Sequence, residues 1–286
     1  MGKKFLGGLI LFLFVLGMLF IAIPQLLLQR AFNWLRRTDD DARSFTERQW
    51  QATWARRYWW LFCHIMGMSM PPKFLGERHT MGGPYIYVLN HRCILDHFLG
   101  QHVLACSGVK DSLWVIKQQM ADAPGLGKSM AGAGYALVKR GGEDPEGDRE
   151  RIRQMARRAK RIGASVVIYA EGTRYDAREW ESLGRHSDYA PHLATPRITG
   201  FAELCDELPD WPVKVVCMDW RGMVGGKTIW DGEAYAGLHG RVLIWEEENP
   251  GKAGAREFLY RMWDRMYDEM SGQGDTRLKI VRAREA

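Results

Sequence analysis

His91 and Asp96 are the two side chains whose types and spacing could do acid–base chemistry. They lie in Tyr87-Val88-Leu89-Asn90-His91-Arg92-Cys93-Ile94-Leu95-Asp96. An imidazole can take a proton near neutrality. A carboxylate on its other ring nitrogen fixes the tautomer and balances the charge that develops. On a straight α-helix, positions five apart lie about 140° apart around the axis, because each residue advances about 100°. The two groups therefore meet only if the chain turns between them. The apolar run from Tyr85 to Leu89 predicts a buried strand just before the histidine. Ligands in open α/β sheets sit outside the carboxyl ends of strands, so a histidine there is well placed to meet a substrate. Alone, the pattern is short and common by chance, and it reads first as a strand end with a capping Asp.

Other charged groups stand at the ends of further predicted strands. Leu113 to Ile116 reads as a buried strand followed by Lys117. Tyr135 to Val138 reads as another, closed by Lys139-Arg140 beside Gly141-Gly142. Arg140 could hold a phosphate there, or be a surface charge. Ser165 to Ala170 is a strongly apolar strand that runs into Glu171-Gly172-Thr173-Arg174. Strands are also predicted at Val213 to Met218 and Arg241 to Trp245. A helix is predicted from Asp144-Pro145 to Gly163, with a capping residue, Pro at the first position and a terminating Gly. Its seven basic residues read as a solvated face. A closing helix is predicted over Glu257 to Met270. Strands alternating with helical patterns predict an α/β fold over residues 76–286, with a mixed, largely parallel sheet flanked by helices.

Phe5 to Leu28 is apolar except for Gln25 and follows Lys3-Lys4. At about 1.5 Å per residue it would be roughly 36 Å long, enough to cross a hydrocarbon core of about 30 Å. Its length, with no small-x-small cleavage site behind it, predicts a retained membrane anchor over residues 1–35. Pro24 is expected to kink or end the helix. In residues 36–75, Trp50, Trp54, Tyr58, Leu61, Phe62, Ile65 and Met66 share one helical face, with Arg56 and Arg57 near its edge. This face is expected to lie at the membrane interface; the alternative is a helix packed on the globular domain. The amino end is thus predicted to be a membrane-embedded helical module. Arg30, Arg36, Arg37, Arg43 and Arg48 outnumber Lys3 and Lys4, which favours a cytoplasmic location for the α/β domain.

The chain carries a net charge of +6 over 286 residues, which suits an acidic partner such as nucleic acid or an anionic membrane face. Its five cysteines are scattered without a CxxC pair, so neither a disulfide framework nor a zinc site is expected. Cys93 is expected to be a small core residue rather than a nucleophile. His97 and His102 fit no zinc spacing.

In order and spacing, the chain resembles the lysophospholipid acyltransferase superfamily, which includes the 1-acylglycerol-3-phosphate acyltransferases. Asn90, His91 and Asp96 match its N-H-x-x-x-x-D motif. Gly134, Leu137, Val138 and Arg140 match its Gly-x-x-apolar-apolar-x-Arg motif. Residues 171 to 174 match its Glu-Gly-Thr-Arg motif in full. The match spans roughly residues 75 to 220. Pro196-Arg197-Ile198-Thr199-Gly200-Phe201 is similar to the branch that holds lysocardiolipin-type enzymes and their bacterial relatives. Cys93 departs from the pattern where Ser or Thr is usual. Pro212 precedes an apolar strand, whereas the fourth motif places a Pro inside one.

The resemblance implies a membrane-bound O-acyltransferase that moves a fatty acyl group from a thioester to the glycerol hydroxyl of a lysophospholipid, foremost 1-acylglycerol-3-phosphate. His91 would be the general base and Asp96 its orienting partner. Arg140 and Arg174 would hold the acceptor's phosphate. Glu171, with Gly172 and Thr173 in the same motif, would hold the glycerol or orient Arg174. The donor would be acyl-CoA or acyl carrier protein. No cofactor, metal or nucleic acid is expected. The expected location is a bacterial inner membrane or its equivalent. Two other classes fit parts of the sequence. One is a membrane-anchored lipid hydrolase or phosphodiesterase using the same pair. The other is a non-catalytic protein that binds anionic lipid through its basic helix.

Overall fold

The computed structural model describes residues 8–9, 12–13, 16–35, 38–76, 80–122, 127–139, 144–175, 181, 187–221 and 235–272. A π-helical turn, Met18–Ala22, leads into α1 (Ile23–Leu35). Pro24 neither ends nor breaks this helix. Its missing N–H falls in the first turn of α1, and the wider π turn lies on its amino side. This is the one described helix long and apolar enough to cross a membrane, at Met18–Leu35. Phe20, Leu28, Trp34 and Leu35 are exposed along it, Trp34 at 74%.

The next helix, α2 (Asp40–Met66), opens on Asp39, whose side chain accepts the N–H of Ala42. Its aromatic stripe does not face outward, as an interfacial helix would require. Trp50, Trp54, Tyr58, Phe62 and Met66 are buried inside the protein. Trp50 donates its indole N–H to the carbonyl of Ala22, and Trp54 to the side chain of Gln25. Tyr58 and Phe62 both meet Phe98 edge-on. The alternative reading, a helix packed on the globular domain, is what the structure contains. Only the opposite face, with Arg56, Arg57 and Trp60, is open to solvent.

The sheet starts earlier than residue 76. β1 (Pro72–Leu75) pairs in parallel with β7 (Arg241–Glu247) at one edge of a seven-stranded sheet. Between them in sequence come β2 (Ile86–Leu89), α3 (Asp96–Cys106), β3 (Ser112–Lys117), α4 (Gly127–Gly132), β4 (Ala136–Val138), α5 (Pro145–Ile162), β5 (Ser165–Tyr169), α6 (Ile198–Glu207) and β6 (Val213–Asp219). The last described helix is α7 (Gly251–Ser271). The spatial order is β1-β7-β6-β2-β5-β3-β4, and only the β6–β7 pair is antiparallel. The fold is thus α/β with a mixed, mostly parallel sheet.

β2 lies in the middle of the sheet, between β5 and β6, and all four of its residues are buried. Its apolar run is continuous because helices cover both faces, as in other parallel sheets. Three carboxyl ends therefore open side by side: β2 into Asn90-His91, β5 into Glu171, and β6 into Trp220-Arg221. On α5, Arg151, Arg153, Arg157, Arg158 and Arg161 each pair with a carboxylate of α5, α6 or the start of α2. That accounts for much of the basic surface without an acidic partner.

Candidate active site

Asn90 continues the sheet beyond the end of β2. Its side chain donates to the carbonyl of Met218 and accepts that residue's N–H at 2.7 Å, imitating one more rung of the β2–β6 ladder. This fixes the point at which the chain leaves the sheet.

The next turn is built around Asp96. Its carboxylate is fully buried (0% exposed), and donors surround it. Oδ2 accepts the N–H of Arg92 at 2.6 Å and of Cys93 at 2.9 Å, which folds residues 91 to 95 back on the first turn of α3. Oδ1 accepts the indole N–H of Trp220 at 2.7 Å and a weak Cys93 thiol contact at 3.6 Å. The fold of this turn brings the ring of His91 to Asp96, with Nδ1 at 2.8 Å from Oδ2. Asp96 accepts only, so Nδ1 carries the hydrogen and Nε2 keeps its lone pair. The His91 side chain is 20% exposed. Its ring stacks on Tyr169, with centroids 4.3 Å apart and planes 24° apart.

Cys93 is buried beneath this turn. Burial and the nearby charge of Asp96 push its thiol well above the usual range, so it is a poor nucleophile. His97 packs edge-on against Trp114, and burial lowers its imidazole to about 4. His102 lies tilted beside Trp59, with ring centroids 6.1 Å apart. Among the described residues no group of three or more His, Cys, Asp or Glu is placed to hold a metal ion.

The Glu-Gly-Thr-Arg turn is bonded to the same loop, though not as expected for Glu171. That side chain faces inward, is 1% exposed, and touches backbone rather than open space. Oε2 accepts the N–H of His91 at 2.9 Å, and Oε1 accepts the N–H of Ala194 at 3.2 Å. It therefore ties down the backbone of His91 instead of facing a glycerol or Arg174. Burial holds its carboxyl well above the usual range, against the pull of those two N–H groups. Gly172 has φ +70°, and a Cβ there would come within 3.0 Å of the Arg197 side chain. Thr173 is half-buried and Arg174 is exposed. Tyr175 donates its N–H to the carbonyl of His91 at 2.9 Å, so the turn holding Arg174 is bonded to the histidine at both ends. Arg140 lies outside the described residues.

Three contributors carry no local signal in the sequence. Trp220 is a single residue past the end of an apolar strand, and Tyr169 is an ordinary member of another. Ala194 contributes only its backbone N–H.

A family model described as Acyltransferase matches residues 71–213, half of the chain. No curated protein sequence matches significantly. Among solved structures, the chain is similar to the crystal structure of the 1-acyl-sn-glycerophosphate (LPA) acyltransferase PlsC from Thermotoga maritima. The TM-score is 0.53 at 14% identity, with 94% of this chain and 97% of that one covered. At that identity the likeness is one of fold.

Proposed function

Since the chain belongs to the acyltransferase family, we propose that it moves a fatty acyl group from a thioester donor to the glycerol hydroxyl of a lysophospholipid, foremost 1-acylglycerol-3-phosphate. The observation that carries this reading is the buried Asp96 carboxylate held 2.8 Å from Nδ1 of His91 at the end of the central strand. That arrangement prepares Nε2 as a general base.

In the reaction, His91 Nε2 takes the proton of the acceptor hydroxyl as its oxygen attacks the thioester carbonyl. Asp96 balances the imidazolium that forms. The tetrahedral oxyanion would meet backbone N–H groups at the amino end of α3. Those of Arg92 and Cys93 are already taken by Asp96. When the intermediate collapses, the C–S bond breaks and the thiolate recovers the proton from His91. Arg174 and Arg140 would grip the acceptor's phosphate, because a guanidinium can place two parallel N–H bonds on phosphate oxygens.

The apolar surface of Met18–Leu35, with Phe20, Leu28, Trp34 and Leu35 exposed, supports membrane embedding of this end of the chain. We place the α/β domain on the cytoplasmic side, where arginine-rich flanks are favoured.

The test is purified protein offered a panel of lysolipids with acyl-CoA and with acyl carrier protein, the products read by mass. Phosphatidic acid from 1-acylglycerol-3-phosphate is expected. His91→Ala should lower its rate by roughly a hundredfold to ten-thousandfold. Near-normal transfer by that variant would sink the assignment. Labelled acyl chain recovered only as free acid would make the protein a hydrolase instead.

A further inference from the structure

One stretch of the sequence has no part in the acid–base pair. Pro196-Arg197-Ile198-Thr199-Gly200-Phe201 runs into the start of α6. Most of it serves packing. Pro196 is buried. Phe201 is 0% exposed and stacks on Phe258 of α7, with centroids 5.5 Å apart. A Cβ on Gly200 would come within 2.9 Å of Ile168 in β5 and 3.3 Å of Ile152 in α5. The missing side chain therefore lets α6 sit directly on the sheet. Arg197 is the charged residue of the stretch, and it is exposed.

Its backbone is fixed against the Glu-Gly-Thr-Arg turn. The Arg197 N–H donates to the carbonyl of Ala170 at 2.7 Å. Three residues earlier, Ala194 donates its N–H to Glu171. The segment thus lies along the end of β5, and from there the Arg197 side chain crosses Gly172. Its Cδ, Nε and Cζ lie 3.0, 3.2 and 3.6 Å from the place a Cβ of residue 172 would take. Gly172 has two reasons to be glycine: its φ of +70° and the arginine stem above it. The turn so crossed is the one bonded to His91 through Glu171 and Tyr175.

The guanidinium has no hydrogen bond and no ion pair among the described residues. The arginines of α5 show the contrast, since Arg151, Arg153 and Arg157 each end on a carboxylate. An arginine whose stem is packed and whose fork is unpaired is preorganised for an anion. Part of its ordering cost is already met, and its donors remain available. We propose that Arg197 is a phosphate-binding residue, whose guanidinium takes a phosphate of one of the two substrates over the turn that leads to Arg174. This rests on the acyl-transfer reading above. Both substrates then carry a phosphate ester, the acceptor on its glycerol and the donor on its pantetheine. The shared chemistry is the phosphate, and experiment separates the two sources.

Wild type, Arg197→Gln and Arg197→Lys are compared as full-length proteins. The acceptor is offered as 1-acylglycerol-3-phosphate and as 1-acylglycerol, which keeps the hydroxyl without the phosphate. The donor is offered as acyl-CoA and as S-acyl-pantetheine, which keeps the thioester without the phosphate. Arg197→Gln should raise the KM of the substrate whose phosphate it holds about tenfold, the loss of one charge-assisted contact. The rise should vanish when that substrate lacks its phosphate. A rise in the acceptor KM names the acceptor as the source, and a rise in the donor KM names the donor. Arg197→Lys should recover part of the loss, because an ammonium still meets phosphate as a point charge. A loss that is equal with and without the phosphates, or a fall in kcat alone, would make Arg197 a prop for the Gly172 turn and overturn the proposal. Unchanged constants would overturn it as well.

A second readout needs no turnover. Short-chain 1-acylglycerol-3-phosphate or CoA, each added alone, should raise the melting temperature of wild type, and one of the two shifts should shrink in Arg197→Gln. Equal protection of both proteins, or no protection of wild type by either compound, would remove the subsite and leave acyl transfer to stand on its own assay. Protection that depends on Arg197, in a protein that transfers no acyl group, would keep the subsite while the acyl-transfer reading fell.

Discussion

Trp220 donates its indole N–H to Oδ1 of Asp96 at 2.7 Å, from 124 positions further along the chain. The bond joins the end of β6 to the turn after β2, so the orienting carboxylate is fixed from two strands at once. His91 and Trp220 act on different oxygens of Asp96, and removing the indole N–H would free the carboxylate to rotate away from Nδ1. Trp220→Phe keeps a ring against Trp59, which it meets edge-on at 6.3 Å. A hydrogen bond to a charged group is worth about 1.5–3 kcal/mol, which corresponds to roughly ten- to a hundredfold. Steady-state kinetics should show kcat falling by about that factor, with the acceptor KM unchanged. An unaltered kcat would mean that the backbone donors alone hold Asp96.

Glu171 makes a comparable claim on the backbone. It accepts the N–H of His91 itself, so its side chain sets where the imidazole starts. Glu171→Gln replaces one accepting oxygen by an NH₂ that cannot accept. The expected result is a lower kcat with little change in either KM, since the side chain faces no open space. If Glu171 bound the glycerol, the acceptor KM would rise instead. The pH dependence gives an independent check. The folded-state value of Glu171 is raised above its ordinary 4.5. Its contribution to stability is then fully present below about 4.5 and is lost as pH rises through the folded value. Urea titrations should show wild type losing ground to Glu171→Gln as pH rises.

The stack of Tyr169 on His91 separates shape from polarity. Its hydroxyl is buried with no hydrogen-bond partner among the described residues. Tyr169→Phe keeps the ring and removes an unsatisfied group, so stability should hold or improve, with activity near normal. Tyr169→Leu removes the aromatic face that steadies the imidazole as it becomes charged, an effect of about 0.5–2 kcal/mol. Its kcat should drop several-fold. Equal activity in the two variants would show that the stack plays no part.

Much of this arrangement is legible in the sequence because its signals are local. Asp144 does cap α5 by accepting the N–H of Gly147, and Gly163 ends it at φ +69°. Asn90-His91 does follow a buried strand, and the chain does turn before Asp96. The features that escape a sequence reading are set by distant partners. β1 begins with a Pro directly after another, which reads as a stop; it survives because an edge strand can lack a donor. The aromatic stripe of α2 gives its spacing and not its neighbour, and the same rings suit a membrane interface or the core beneath α3. Glu171 does lie at a strand end. Whether a side chain there points out or back depends on the N–H groups of His91 and Ala194, which lie 80 and 23 residues away.

His97 sits next to Asp96 in sequence but faces the opposite environment, packed at 4.8 Å from Trp114. Burial there, with His91 nearby, lowers its value from 6.5 to about 4. The folded protein resists protonating it while the unfolded chain does not. Stability from this group is therefore complete above about 6.5 and declines as pH falls toward about 4. At about 1.4 kcal/mol per pH unit, the loss amounts to roughly 3 kcal/mol at the acid end. Carboxylates titrate over part of the same range, so the informative quantity is a difference between proteins. His97→Phe cannot bind a proton and fits an apolar, aromatic-lined site. Denaturant midpoints at pH 7 and pH 4.5 should differ less for this variant than for wild type, by most of that amount. Because no hydrogen bond joins His97 to His91 or Asp96 among the described residues, kcat at pH 7.5 should stay close to normal. Parallel pH curves for the two proteins would place the acid sensitivity elsewhere. A large loss of kcat at pH 7.5 would instead show that His97 positions the first turn of α3, and Asp96 with it.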